Sequence, residues 1–323
     1  MTEYSDPILA SIAERLQDTD PGIRRVAVMD LVDSVDEAGV ELLLKALSDE
    51  DEMVRLEAAR VIDEFDPADM MDALVDALNA PDRNVRNAAA KALADLKDPD
   101  AAPALIAALK SDDAFVLASI LRSLKQLCIQ DARPYAIELL GHDDAGVRRE
   151  AVGVLGYLQE IENLPQLKAV AKSDADPEVR RSAVGALVYA TPDKVADTLI
   201  AAVSDDHWQV RCEAIRSLGR LKAKDAKGAL IQAIGDKRWQ VQEKAAEAIG
   251  MVGAIEGIPA LGTCIDNPIS NLRKTAVAAL GELAHEDGLP FIRRALEDND
   301  PDVRKLARWA LERTAPQGTN TKP

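Results

Sequence analysis

Apolar positions recur along this chain in two alternating patterns. In one, Ala104, Leu105, Ala108 and Leu109 stand at i, i+1, i+4 and i+5, after Asp98-Pro99-Asp100. In the other, Val210, Ala214, Ile215 and Leu218 are spaced by four, one and three, after Asp205-Asp206-His207-Trp208. Both spacings gather apolar side chains on one face of a helix. Short polar breaks such as Ser111-Asp112-Asp113 separate them, and their side-chain oxygens can satisfy the open N–H groups of a first turn. Proline recurs in equivalent places of the first helices, at Pro103, Pro134, Pro165, Pro259 and Pro290, where a first turn tolerates it.

The pair of patterns occurs ten times. Aligned on the residue after the recurrent Val, the second pattern carries Arg24, Arg55, Arg86, Leu117, Arg148, Arg180, Arg211, Gln242, Arg273 and Arg304. The step between neighbours, as from Arg24 to Arg55, is constant except before Arg180, where it is one residue longer. A fixed period of about 31 residues predicts stacked helical pairs, each touching only its neighbours. The expected fold is an all-α solenoid, a superhelix of about ten two-helix repeats, as a single domain over residues 6–314. Residues 1–5 are expected to fray and the polar stretch 315–323 to be disordered. The extra residue, placed near Ser173–Pro177, predicts one longer inter-helix turn.

Asp20, Asp51, Asp82, Asp113, Asp144, Asp176 and Asp300 lie four residues before that arginine position. They predict helix caps that also hydrogen-bond an arginine of the neighbouring repeat, as a ladder along the array.

The phrases Asp-Pro-Glu-Val-Arg-Arg-Ser-Ala-Val-Gly-Ala-Leu at 176–187 and Asp-Ala-Gly-Val-Arg-Arg-Glu-Ala-Val-Gly-Val-Leu-Gly at 144–156 resemble HEAT repeats. More narrowly, they are similar to the short HEAT-like repeats named after phycobilisome lyases, over about residues 6–314. The resemblance implies a solenoid whose second helices line the concave surface. It also implies a range of roles: scaffolds and assembly factors, bilin lyase subunits, and a di-iron hydroxylase. The hydroxylase relatives use several His-Glu pairs, and His285-Glu286 is the only such dipeptide here, which disfavours that activity.

Composition narrows the picture. Hydrophobic residues make up 47% and aromatic residues 3%, so the core must be built from Ala, Leu, Val and Ile. The net charge is −17, and all of it falls in residues 1–160, with 33 acidic against 16 basic residues, while residues 161–323 hold 23 of each. An acidic half lacks the basic track that nucleic acid requires. The cysteines, Cys128, Cys212 and Cys264, are scattered and form no CxxC pair, which fits a reducing compartment. The first residues lack a basic-then-apolar leader, and no apolar run approaches the roughly 20 residues that span a bilayer, so the expectation is a cytoplasmic protein without membrane contact. No Walker loop, GxGxxG after a strand, or HExxH occurs, and His142, His207 and His285 lie far apart in the sequence. No catalytic residue, metal site or cofactor is expected.

Function is sought where repeats depart from their common pattern. Three residues before the arginine position, only the seventh and eighth repeats carry Trp, at Trp208 and Trp239. Between His207 and Lys244, nine basic residues face four acidic ones, a reversal of the chain's overall sign. Phe115 and Leu117 replace polar residues and Arg in the fourth repeat, which points to a locally repacked core or to a local apolar contact site, and Tyr157 and Tyr189 share one late position. The expected function is a non-catalytic protein-binding scaffold, adaptor or assembly factor. Its candidate contacts are Trp208, Trp239, Arg216, Arg220, Arg238, His207, Tyr157 and Tyr189. The partner is another protein on the concave face, with no obligate small molecule. The alternative implied by the resemblance is a bilin-lyase-like subunit or cofactor-insertion chaperone that binds an anionic tetrapyrrole.

Overall fold

Helix caps and apolar periodicity produce helical pairs in the order the sequence predicts. The computed structural model describes residues 6–33, 37–62, 70–81 and 83–315. The expectations for residues 1–5 and 316–323, and for Asp82, lie outside the described residues. The chain divides into two compact units after Leu158. The first holds α1 (Pro7–Arg15), α2 (Pro21–Met29), α3 (Glu37–Ala46), α4 (Glu52–Ile62), α5 (Met71–Ala77), α6 (Arg83–Ala94), α7 (Ala102–Ala108), α8 (Ala114–Leu127), α9 (Arg133–Leu139) and α10 (Ala145–Leu158). The second holds α11 (Leu164–Ser173), α12 (Pro177–Ala186), α13 (Pro192–Ala202), α14 (Trp208–Arg220), α15 (Lys227–Ala233), α16 (Trp239–Val252), α17 (Ile258–Cys264), α18 (Ser270–Leu283), α19 (Leu289–Ala295) and α20 (Pro301–Thr314). Odd-numbered helices are the first of each pair and even-numbered ones the second. No strand occurs among the described residues, and the fold is an all-α solenoid.

The second helices pack on one another in chain order: α8 on α10 in the first unit, and α12, α14, α16, α18 and α20 in series in the second. Small residues make this approach possible. A Cβ on Gly250 would lie 3.2 Å from Ala279 Cα, and one on Gly281 would lie 2.8 Å from Ala310 Cβ and 2.5 Å from the Trp309 ring. The seventh repeat's row Val210, Ala214, Ile215 and Leu218 is fully buried. Each such aliphatic contributes about 1.5–3 kcal/mol on burial, so Ala, Val, Leu and Ile suffice without large rings. In the fourth repeat Leu117 is buried and Phe115 lies under the Arg86 guanidinium, 4.7 Å from ring centroid to Cζ.

The inter-repeat ladder exists, but a different aspartate carries it. The predicted residues do cap: Asp113 accepts from the N–H groups of Phe115 and Val116, and Asp176 from those of Glu178 and Val179. The arginine, however, pairs in most cases with the residue two positions before the cap. Arg24 forks onto Asp49, Arg180 onto Asp205, Arg211 onto Asp236 and Arg273 onto Asp298, each through Nε and Nη2 at 2.7–3.0 Å. Each of these acceptors also takes the N–H of the cap residue behind it, as Asp205 takes that of His207. The same arginines bind their own loop through Nη1, as Arg211 does to the carbonyls of Asp205 and Asp206. One guanidinium therefore fastens two loops. Arg86 keeps the predicted partner, Asp113, because Ser111 occupies the earlier position and has no charge.

The extra residue is not in a turn. The step from the second helical position to the clamp position is the same in most repeats, as from Pro134 to His142, but one longer from Pro165 to Asp174. α11 stays helical to Ser173, whereas α9 ends at Leu139 and is followed by turn residues. The insertion is absorbed as helix, which keeps backbone groups paired that a longer turn would expose.

Candidate functional site

The Trp-bearing helices α14 and α16 start differently from their neighbours. Their cap residues are His207 and Arg238, and neither side chain caps a first-turn N–H. Order at both starts comes instead from Asp205 and Asp236, which accept the cap N–H at 2.8 Å and also receive the preceding repeat's arginine. Trp208 and Trp239 occupy the first helical positions and are half-buried, as is His207, while Arg238 is exposed. Around these starts, His207 Nδ1 and the Oε1 atoms of Gln209 and Gln240 are buried with no hydrogen-bond partner among the described residues.

The remaining candidates lie elsewhere. Arg216 and Arg220 are exposed on the later turns of α14. Trp208 and Arg220 stand at opposite ends of that helix, which puts them about 18 Å apart along its axis. The candidate patch therefore has two parts, one at the helix starts and one near the end of α14. Arg216 pairs with Glu213 of its own helix, and Lys244 pairs with Glu247 at 2.7 Å, so part of the local basic surplus is neutralised. Among the described residues no carboxylate pairs with Arg220. Tyr157 belongs to the first unit and is exposed, with Lys125 Nζ 5.9 Å from its ring centroid. Tyr189 belongs to the second unit, is half-buried, and donates its hydroxyl to the Glu160 carbonyl at 2.6 Å. Burial, with Glu162 and Glu160 nearby, raises the pKa of that phenol.

Two open clefts sit beside the loops rather than beside the tryptophans. One of about 510 Å³ is lined by Lys172, Ser173, Arg180, Asp197, Asp205 and Asp206 among others. A second of about 550 Å³ is lined by Asp205, Asp206, Arg211, Gln232, Asp236 and Lys237 among others. Their charged groups include the clamp residues Arg180 and Asp205 in the first and Arg211, Asp205 and Asp236 in the second. Burial tends to raise the Asp236 carboxyl, but hydrogen bonds from Arg211 and the Arg238 N–H outweigh it and hold it below the usual range. Asp205 behaves alike, burial being outweighed by Arg180 and the His207 N–H. Both of these carboxylates therefore stay ionised at neutral pH.

Nucleophilic chemistry has no support in the geometry. Cys212 is half-buried, and burial pushes its thiol up to about 11, so it stays protonated at neutral pH. Burial also raises Cys264. His142 and His285 have structural work: each Nδ1 accepts a backbone N–H, from Asp144 and Asp287 respectively. Among the described residues, no three His, Cys, Asp or Glu side chains are grouped to hold a metal ion. No helix of the described residues is long and apolar enough to cross a membrane.

The sequence patterns missed the clamp aspartates and the glycine contacts. The signal for the first was present: Asp or Asn stands six residues before the arginine position in seven of ten repeats.

Comparison with solved structures supports the fold. The chain is similar to Kap95p, seen bound to RanGDP, with a TM-score of 0.57 and 14% identity over 95% of this chain and 48% of that one. It is similar to Kap121p bound to the extreme C-terminus of the protein phosphatase Cdc14p, with a TM-score of 0.53 and 15% identity over 95% of this chain and 41% of that one. It is also similar to Escherichia coli YibA, with a TM-score of 0.54 and 20% identity over 88% of this chain and 98% of that one. The chain thus spans less than half the length of either karyopherin. No curated protein sequence matches it. The family model described as HEAT repeats matches residues 9–65, 40–125, 109–188, 196–270 and 258–321, and the chain belongs to the HEAT-repeat family.

Proposed function

We propose that this HEAT-repeat protein is a non-catalytic scaffold or adaptor, and that the starts of α14 and α16 are its principal contact with a partner protein. The observation that carries the reading is the pair Trp208 and Trp239. They are half-buried at the same position of adjacent, directly packed helices in a chain with only three tryptophans. Aromatic side chains supply large contact area at low entropic cost and dominate interface hot spots. Exposed Arg238 beside them, with Arg216 and Arg220 further along, favours an acidic partner surface and fixes its orientation. The karyopherin structures, each with a bound protein, support this mode of use for the fold. The concave face is the expected place of contact, and a cytoplasmic setting accompanies the reading because the three cysteines are free thiols.

The test is affinity purification of the full-length chain with and without Trp208→Ala and Trp239→Ala, read by mass spectrometry. Hot-spot truncation costs about 2 kcal/mol or more per residue, so a specific partner is expected to disappear from the double variant. Retention of every partner overturns the assignment of these residues. Visible-absorbing tetrapyrrole co-purifying with the wild-type chain replaces the scaffold reading with the bilin-lyase-like one.

A further inference from the structure

The first repeat carries an exposed apolar stripe, part of which lies at positions that later repeats bury. The residue just before the arginine position is Val or Leu from Val54 to Val303 and is 0–1% exposed in all nine of those repeats. In the first repeat that residue is Ile23, and it is 40% exposed. Val303 shows which side supplies the cover: it is fully buried although no described repeat follows it. The cover therefore comes from the preceding repeat. Val26, one turn further on α2, behaves in the same way. It is 51% exposed, while its counterparts Glu57, Ala88, Ser119 and Glu150 are 8% exposed or less and Ser182, Glu213, Lys244, Thr275 and Leu306 are half-buried. Two of those counterparts are visibly reached from the preceding second helix, Glu57 by Arg25 and Glu150 by Arg122 and Lys125. Met29, one turn further on, is 37% exposed and adds apolar surface at a position whose occupants Arg60, Lys91 and Arg216 are also exposed.

Ile23 and Val26 thus stand at positions through which later second helices pack on the preceding one, and Met29 extends their apolar surface. In the tenth repeat, by contrast, Arg308 is exposed in a position that is apolar and buried in Val28, Leu121, Val152 and Ile215. A surface shaped by helix packing, and left apolar, is suited to receive a helix.

Charge selects which helix. Residues 6–62 hold 14 carboxylates against 6 cations. Of the cations, Arg15 is paired with Asp30, Arg24 with Asp49 and Arg25 with Glu57, while Glu14, Asp20, Glu50 and Glu52 are exposed. A second copy of the chain would bring the same acidic surface to the contact and be repelled. A helix with Lys and Arg around an apolar face would be attracted. Met29 adds an adaptable, polarisable side chain of the kind used at surfaces that accept helices of differing shape. We infer that the Ile23-Val26-Met29 stripe of α2 docks a basic amphipathic helix of a partner protein. This surface is separate from the Trp-bearing one and does not depend on it.

The probe is a fluorescent synthetic Leu/Lys peptide of about 18 residues patterned to form an amphipathic helix. Its binding to the full-length chain is read by anisotropy at physiological salt. The expected result is saturable binding that weakens at least tenfold in Ile23→Ser with Val26→Ser, with helicity by circular dichroism unchanged. Met251→Ser, which removes an exposed apolar side chain of α16, is expected to leave binding as in wild type. Equal weakening in both variants, or in neither, overturns the proposal. So does equally tight binding of the matching Leu/Glu peptide, or of a Leu/Lys peptide scrambled to lack an apolar face. A wild-type dimer that light scattering finds converted to monomer by the double variant also overturns it, since a second copy is then the occupant.

Discussion

At the scale of single residues, the guanidinium clamp is the most consequential device. Arg211 makes four hydrogen bonds, two to the Asp236 carboxylate and two to carbonyls of its own loop. Both side chains of the pair are about one-seventh exposed. Removing one partner strands the other, and Asp236→Asn is expected to cost about 2–3 kcal/mol, the lower end for a buried pair because one edge is wet. A urea midpoint measured at neutral pH checks this. The pH dependence has a definite sign. Asp49, Asp205, Asp236 and Asp298 are all held below the ordinary carboxylate value, so they bind protons less readily folded than unfolded. Their stabilisation is complete above the unfolded value near about 3.9 and is lost as pH falls through the depressed folded values. Acid unfolding monitored by circular dichroism should therefore begin below about pH 4, and Asp236→Asn should flatten that limb. Gln242 shows what remains without the guanidinium: its Nε2 still reaches the Asp236 carbonyl at 2.6 Å, but it has no charged fork to send onward.

At the scale of elements, glycine sets how closely second helices approach. Gly250 faces Ala279 backbone and side chain at 3.2–3.3 Å from where a Cβ would stand, so Gly250→Val must push α16 and α18 apart. The expected cost is about 2–3 kcal/mol, combining overpacking with lost contacts across the helix pair. Gly228 is the control: nothing lies within 4 Å of its Cβ position in α15, and Gly228→Ala should be neutral or stabilise by up to about 1 kcal/mol. Thermal melts of the two variants separate these effects. Helix order, caps and the buried apolar rows were legible in the sequence because they depend on local periodicity and short-range capping. The clamp partner was not, since the capping position alone does not show which of two nearby residues the neighbouring arginine reaches. The candidate contacts were legible as departures from the repeat. Their split along α14 was not, because shared sequence position says nothing of distance along the helix.

At the scale of the whole chain, charge and fluorophores are both segregated. Residues 1–160 carry the entire −17, while Trp208, Trp239 and Trp309 all lie in the second unit. Self-repulsion destabilises the acidic part and is screened by salt. Fluorescence therefore reports one unit and circular dichroism both. In urea at low ionic strength, helicity is expected to fall before tryptophan emission shifts, and about 0.5 M salt should narrow the gap by raising the earlier transition. Coincident transitions at both salt levels would show that the two units unfold together.

The long helix α11 bears on a different matter, the interchangeability of parts. A residue added to a loop is slack, but a residue added to a helix is a rotation of about 100° and an advance of about 1.5 Å. Relative to the shared proline, α11 runs three residues further than α9 and takes in the two turn positions that follow α9. A module of the ordinary length put in its place would have to rebuild that helix end, so grafting here needs the form that is one residue longer.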